Sequence, residues 1–151
     1  MKSADLNAIQ DNIISAKHGD LTVSGPPDLL SAGGWTYVAA FPRIQSGGVG
    51  TGFLSLGPFR GGDRIKSVSL SVFGNGITDL VYDVIKSSAL MVSTSLPGGS
   101  GTHLNQAAAW GTLTINITDY TIVNGDSIIL SIAATAALYE IGSWQALFDH
   151  P

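Results

Sequence analysis

The chain has no cysteine, a single glutamate, and charged residues at only 12% of its 151 positions. The missing cysteine excludes disulfide frameworks, thiolate metal sites and cysteine nucleophiles. The seven lysines and arginines form no basic run, so nothing here would track a phosphate backbone, and no nucleic-acid partner is expected. The eleven acidic residues are scattered and leave a net charge of −4, which is not an acidic tail. No apolar run approaches the ~20 residues that cross a bilayer, so no membrane partner is expected. Met1-Lys2 is followed by Asp5, Gln10, Asp11 and Asn12, which interrupt any secretion-signal core. The expectation is synthesis in a cytoplasm and, for a role outside it, exit by a route such as lysis.

The residues that chemistry needs are sparse as well. His18, His103 and His150 lie far apart in sequence, whereas a zinc site gathers three or four ligands. A glycoside hydrolase uses a pair of carboxylates. Here the lone glutamate, Glu140, sits within a strand pattern, and Asp79 and Asp83 read as polar positions on a wet sheet face. There is no GxSxG elbow and no phosphate-cradling glycine loop. Asn124-Gly125-Asp126 lacks the ligands that would extend it into a calcium loop. No catalytic residues and no cofactor are expected. Asn116-Ile117-Thr118 fits a glycosylation pattern but falls on a strand.

What the sequence does contain is glycine, serine, threonine and alternating strands. Such a chain covers its surface with hydroxyls and backbone, at about half the usual ~25% of charged residues. RIKSVSLSVFG (64–74) sets Val68, Leu70 and Val72 against Ser67, Ser69 and Ser71. GTLTINI (111–117) sets Leu113, Ile115 and Ile117 against Thr112, Thr114 and Asn116. Further strands are predicted at 35–41, 52–57, 79–86, 88–96, 127–133 and 137–149, the last with a bulge at Gly142. Asn75-Gly76 and 124–126 read as turns, and 97–102 as a loop. Eight or nine short strands without intervening helices predict an all-β antiparallel β-sandwich of jelly-roll-like type.

A short N-terminal α-helical arm is predicted to precede it. Ser3 suits an N-cap, Gly19 a C-terminal stop, and Leu6, Ile9, Ile13 and Ala16 form an a/d stripe. The predicted organisation is a helical anchoring or oligomerisation arm over 1–19, a Pro- and Gly-rich linker over 20–34, and the sandwich over 35–151. A helix this short is marginal alone. It packs on its own sandwich, bundles with copies of itself, or lies on another protein. The linker favours the last two, and isoleucine at both stripe positions favours three strands, hence a homotrimer.

The opening SADLNAIQDNIISAKHGDL resembles the anchoring segments of tailed-bacteriophage virion proteins. RIKSVSLSVFGNGITDLVYDVIK, AAWGTLTINI and NGDSIILSI resemble the small β-sandwich modules of such virions: head decoration or cement proteins, head fibres and tail-fibre tips. The resemblance implies a trimeric structural protein located in the virion, with the major capsid protein or another virion protein as partner. Two alternatives are a tail-fibre module recognising host surface glycans and a carbohydrate-binding module. Aromatic rings stack on the apolar faces of sugars. That makes Trp110, Tyr37 and Trp35 the candidate glycan contacts, with Trp110, among small residues, the foremost.

Overall fold

The computed structural model describes residues 19–88, 92–104 and 108–151. The predicted helical arm, with Leu6, Ile9, Ile13 and Ala16, lies outside the described residues. Among the described residues there are eleven strands: β1 (Leu21–Gly25), β2 (Leu29–Ser31), β3 (Trp35–Tyr37), β4 (Ile44–Ser46), β5 (Gly50–Leu56), β6 (Arg64–Phe73), β7 (Leu80–Ser87), β8 (Ser93–His103), β9 (Trp110–Thr121), β10 (Ser127–Ala134) and β11 (Glu140–Asp149). They form two antiparallel sheets. Sheet A runs β3-β4-β11-β6-β9, with β1 also on β11, and sheet B runs β2-β5-β10-β7-β8.

Period-two patterning decides which side of each sheet turns inward. In β6, Ile65, Val68, Leu70 and Val72 are buried; in β10, Ile128, Leu130, Ile132 and Ala134 are. The two inner faces close on a single core that includes Trp35, Ile44, Leu54, Leu80, Tyr139 and Ile141. β6 alternates as the sequence predicts, because it has one wet face.

Four sequence expectations change. The segment read as a linker is part of the sandwich. Its strand β1 pairs with β11 from Leu21↔Phe148 to Gly25↔Trp144, and β2 pairs with β5. Pro26 and Pro27 mark the crossover between sheets, where the Trp144 indole N–H donates to the Pro26 carbonyl at 3.1 Å. Residues 97–102, read as a loop for their proline and glycines, belong to β8. An edge strand tolerates proline, and the glycines answer close approaches. A Cβ on Gly98 would lie 2.5 Å from the Asn116 carbonyl oxygen, and one on Gly101 2.6 Å from the Tyr82 hydroxyl. The strand expected over 35–41 stops at Tyr37, and the chain then turns so that Val38 N donates to Arg43 O. Asn75-Gly76 is not a hairpin turn: it carries the chain from β6 in sheet A to β7 in sheet B. The Asn75 Oδ1 accepts from the amides of Ile77 and Thr78, while its Nδ2 donates to Ala137 O. The bulge at Gly142 is present, as a register shift between Ile141 and Ser143.

The chain enters the first strand and leaves the last at the same end of the sandwich. A charge cluster sits there. The buried Asp149 carboxylate accepts from Arg64 Nε at 3.0 Å and from its Nη2, and lies 3.2 Å from Lys66 Nζ. Lys66 in turn bonds Asp20. The Arg64 hydrogen bonds hold the Asp149 pKa at about 2 against a usual 3.8; burial opposes them and the Lys66 hydrogen bond reinforces them. A carboxyl held lower when folded than when unfolded contributes stability that is fully present above its unfolded pKa. That contribution disappears as pH falls through the folded value. Thermal melts are therefore expected to show an acid limb between about pH 4 and pH 2. Asp149→Asn should lower the melting temperature at neutral pH and flatten that limb; an unchanged limb would mean the cluster adds nothing.

Candidate functional site

The opposite end of sheet A carries the aromatic and charged side chains. Antiparallel register places Thr36, Gln45, Glu140, Phe73 and Trp110 in one row across five strands. Trp110 begins β9 and is 47% exposed. Its indole leans inward over the sheet. An added Cβ on Gly142 of β11 would meet the indole Cζ3 at 3.1 Å, and the Phe73 ring lies 5.5 Å away at a tilt of 51°. Glycine at the bulge leaves the floor on which the ring rests.

Beside the ring, the Arg43 guanidinium sits 4.6 Å from the Phe41 ring centre and 6.0 Å from that of Trp110. Its Nε is 3.2 Å from Glu140 Oε2 but makes no hydrogen bond there. Gln45 Nε2 donates to Glu140 Oε1 at 3.1 Å. The turn after β3 makes this possible by presenting Phe41 and Arg43 just ahead of β4. An exposed aromatic face, an adjoining cation and carboxylate, and an amide make a platform suited to a polyhydroxyl ligand. Such a ligand has an apolar face for stacking and hydroxyls for the polar rim.

Below this first row the outer face of sheet A continues as three more. These are Ser143–Ser71–Thr112, then Ser24–Gln145–Ser69–Thr114, then Thr22–Leu147–Ser67–Asn116. Cross-strand hydroxyls meet in the middle, where Ser69 Oγ and Thr114 Oγ1 are 3.2 Å apart.

Of the three aromatic residues singled out from sequence, only Trp110 joins this site. Trp35 is 1% exposed and turns into the core. A Cβ on Gly52 would lie 2.8 Å from its Cδ1, so the glycine opposite admits the indole and neither face is open to a ligand. Tyr37 is exposed, but it shares its strand side with Trp35 rather than with Thr36. Its hydroxyl accepts from Leu29 N at 2.9 Å, bridging the sandwich edge. Phe41, Phe73, Arg43, Gln45 and Glu140 were not singled out as ligand contacts. Their meeting depends on a pairing of β4 with β11 that joins positions 95 apart in sequence.

The other candidate groups are engaged structurally. His103 Nδ1 and the Tyr139 hydroxyl are 2.8 Å apart. His150 Nδ1 lies 2.8 Å from Asp63 Oδ1. Asp83, on the outer face of sheet B, accepts from Ser95 Oγ at 2.6 Å. Burial pushes the Tyr139 phenol well above its usual pKa, with the charge of Asp79 adding to the effect. Among the described residues no group of three or more His, Asp or Glu is placed to hold a metal ion. A concavity of about 320 Å³ opens at the far end of the sandwich between Pro58, Phe59 and Asp126.

Gly142→Val should lift the indole from its seat. Trp35 and Trp144 are 1% and 5% exposed, so a red shift of the tryptophan emission would report Trp110 alone. Unchanged emission would show that the ring does not rest on position 142.

No family model matches the sequence, and no curated protein matches it. Solved structures do share the architecture. A low-affinity xylan-binding module of carbohydrate-binding family 86 from the gut symbiont Roseburia intestinalis superposes with a TM-score of 0.57. It is 11% identical and covers 87% of this chain and 96% of its own. A β-(1,4)-mannanase of Podospora anserina, whose chain carries a family 35 module, gives 0.52 at 12% identity, covering 89% of this chain and 28% of that one. A mutant family 29 carbohydrate-binding module gives 0.51 at 10% identity, covering 85% and 93%. At these identities the likeness defines the fold: an all-β, two-sheet antiparallel sandwich of the kind found in carbohydrate-binding modules.

Proposed function

We propose that this chain is a non-catalytic glycan-binding module whose ligand stacks on Trp110. The observation that carries the reading is the half-exposed Trp110 indole, seated over Gly142 beside the Arg43–Glu140–Gln45 group. The similarity in fold to carbohydrate-binding modules supports it. So does the placement of the site at the end of sheet A remote from Asp20, where the N-terminal segment joins the sandwich. A module held through that segment presents Trp110 outward, as a receptor-binding tip would. Screening the purified protein on a panel of neutral and acidic glycans tests the reading. Binding to at least one glycan that weakens with Trp110→Ala supports it, and a panel without Trp110-dependent binding overturns it.

The second reading is a trimeric capsid decoration or head-fibre protein of a bacteriophage particle. It rests on the sequence resemblance and on the stripe Leu6, Ile9, Ile13 and Ala16. Light scattering should give three copies for the full chain and one after deletion of residues 1–19. A monomeric full chain at high micromolar concentration removes this reading and leaves the glycan-binding one intact.

A further inference from the structure

We infer that the ligand is an uncharged linear polysaccharide lying lengthwise along the strands of sheet A, from Trp110 down the three hydroxyl rows. This rests on the glycan-binding reading above and adds its substrate class and its binding direction.

Below Trp110 the outer face carries serine, threonine and asparagine on β6 and β9, with Gln145 and Leu147 the largest side chains on β11. Thr112, Thr114, Asn116, Ser143 and Gln145 are exposed there. Among the described residues no aromatic side chain rises from these three rows to wall off the face at a chain terminus. Rows two residues apart are spaced by about 6.6 Å, and the four rows span about 20 Å. That is longer than one or two sugar rings.

The three lower rows contain no ionisable side chain. At the upper boundary the Arg43 guanidinium already faces Glu140. At the lower boundary Lys66 is engaged by Asp20 and Asp149. An acidic glycan would have to surrender carboxylate hydration without gaining a free cation, which is unfavourable. A neutral chain exchanges water hydrogen bonds for serine, threonine and amide partners.

Serine and threonine carry few rotamers, so ordering them on binding costs little. Each hydroxyl contact is weak, and affinity therefore accumulates with the number of rings laid down.

Calorimetric titration of the full chain with neutral gluco-, xylo- and manno-oligosaccharides, from mono- to hexasaccharide, tests the inference. Polygalacturonate fragments of matching length serve as the acidic probe. For at least one neutral series the hexasaccharide should bind at least tenfold tighter than the disaccharide. The acidic fragments should bind at least tenfold more weakly than neutral chains of equal length. Thr114→Glu, at an exposed position, should reduce hexasaccharide affinity severalfold more than disaccharide affinity. Trp110-dependent binding that is independent of chain length, or stronger for acidic fragments, overturns the inference and leaves the glycan-binding reading standing. Oligosaccharide binding that Trp110→Ala does not weaken, or no binding at all, overturns both.

Discussion

Leu70→Ala is expected to lower the free energy of unfolding by about 2–5 kcal/mol. Ser69→Ala, one residue earlier in β6, should change it by less than about 0.5 kcal/mol. Leu70 is fully buried in a strand flanked by β11 and β9. Shortening it removes apolar surface from the core and leaves a void that packed neighbours on both sheets cannot collapse to fill. Ser69 points the other way, into the second hydroxyl row, where its loss forfeits one solvent-exposed bond to Thr114. Equilibrium denaturation in urea measures both. A similar cost at the two positions would mean that β6 does not present its alternate residues to opposite environments.

Trp110→Ala is expected to weaken glycan binding by about 2 kcal/mol or more, roughly thirtyfold. Stability should change far less, because the ring rests on an outer face and closes no part of the core. Trp110→Phe should retain part of the affinity, since a smaller ring still offers an apolar surface. Calorimetry of the binding and thermal melts of the same samples separate the two effects. A variant that loses binding only because it unfolds would return the ring to a structural role.

Much of this architecture is legible in residue alternation. RIKSVSLSVFG and GTLTINI each have one dry and one wet face, so their strands and orientation follow from period two. Gly142 within an otherwise regular strand marks the bulge for the same reason. The short strands β2 and β4, three residues each, are not legible, because three residues are too few to establish a period, and of the strand predicted over 35–41 only Trp35–Tyr37 forms. The strand predicted over 88–96 meets β8 only at its start; its continuation is hidden by Pro97 and the glycines, whose purpose appears only once β9 and Tyr82 are seen to approach them. Trp110 stands out from sequence, but Trp35 does not separate from it. Both follow small residues, and what distinguishes them is the glycine each one meets: Gly52 of the facing sheet admits one indole to the core, and Gly142 of the same sheet supports the other on the surface. The rim of the site is the least legible part. Arg43, Gln45 and Glu140 meet through strand order, which periodicity does not contain.

On the proposed glycan-binding reading, ligand settles on the open face of the Trp110 indole. Trp35 and Trp144 are buried, so titrating a bound glycan against the native protein while following tryptophan emission addresses that ring directly. A saturable change in emission, absent from Trp110→Phe, is the predicted result. Glycan binding that saturates in calorimetry while the emission stays constant would contradict the claim and place the ligand elsewhere on the sandwich.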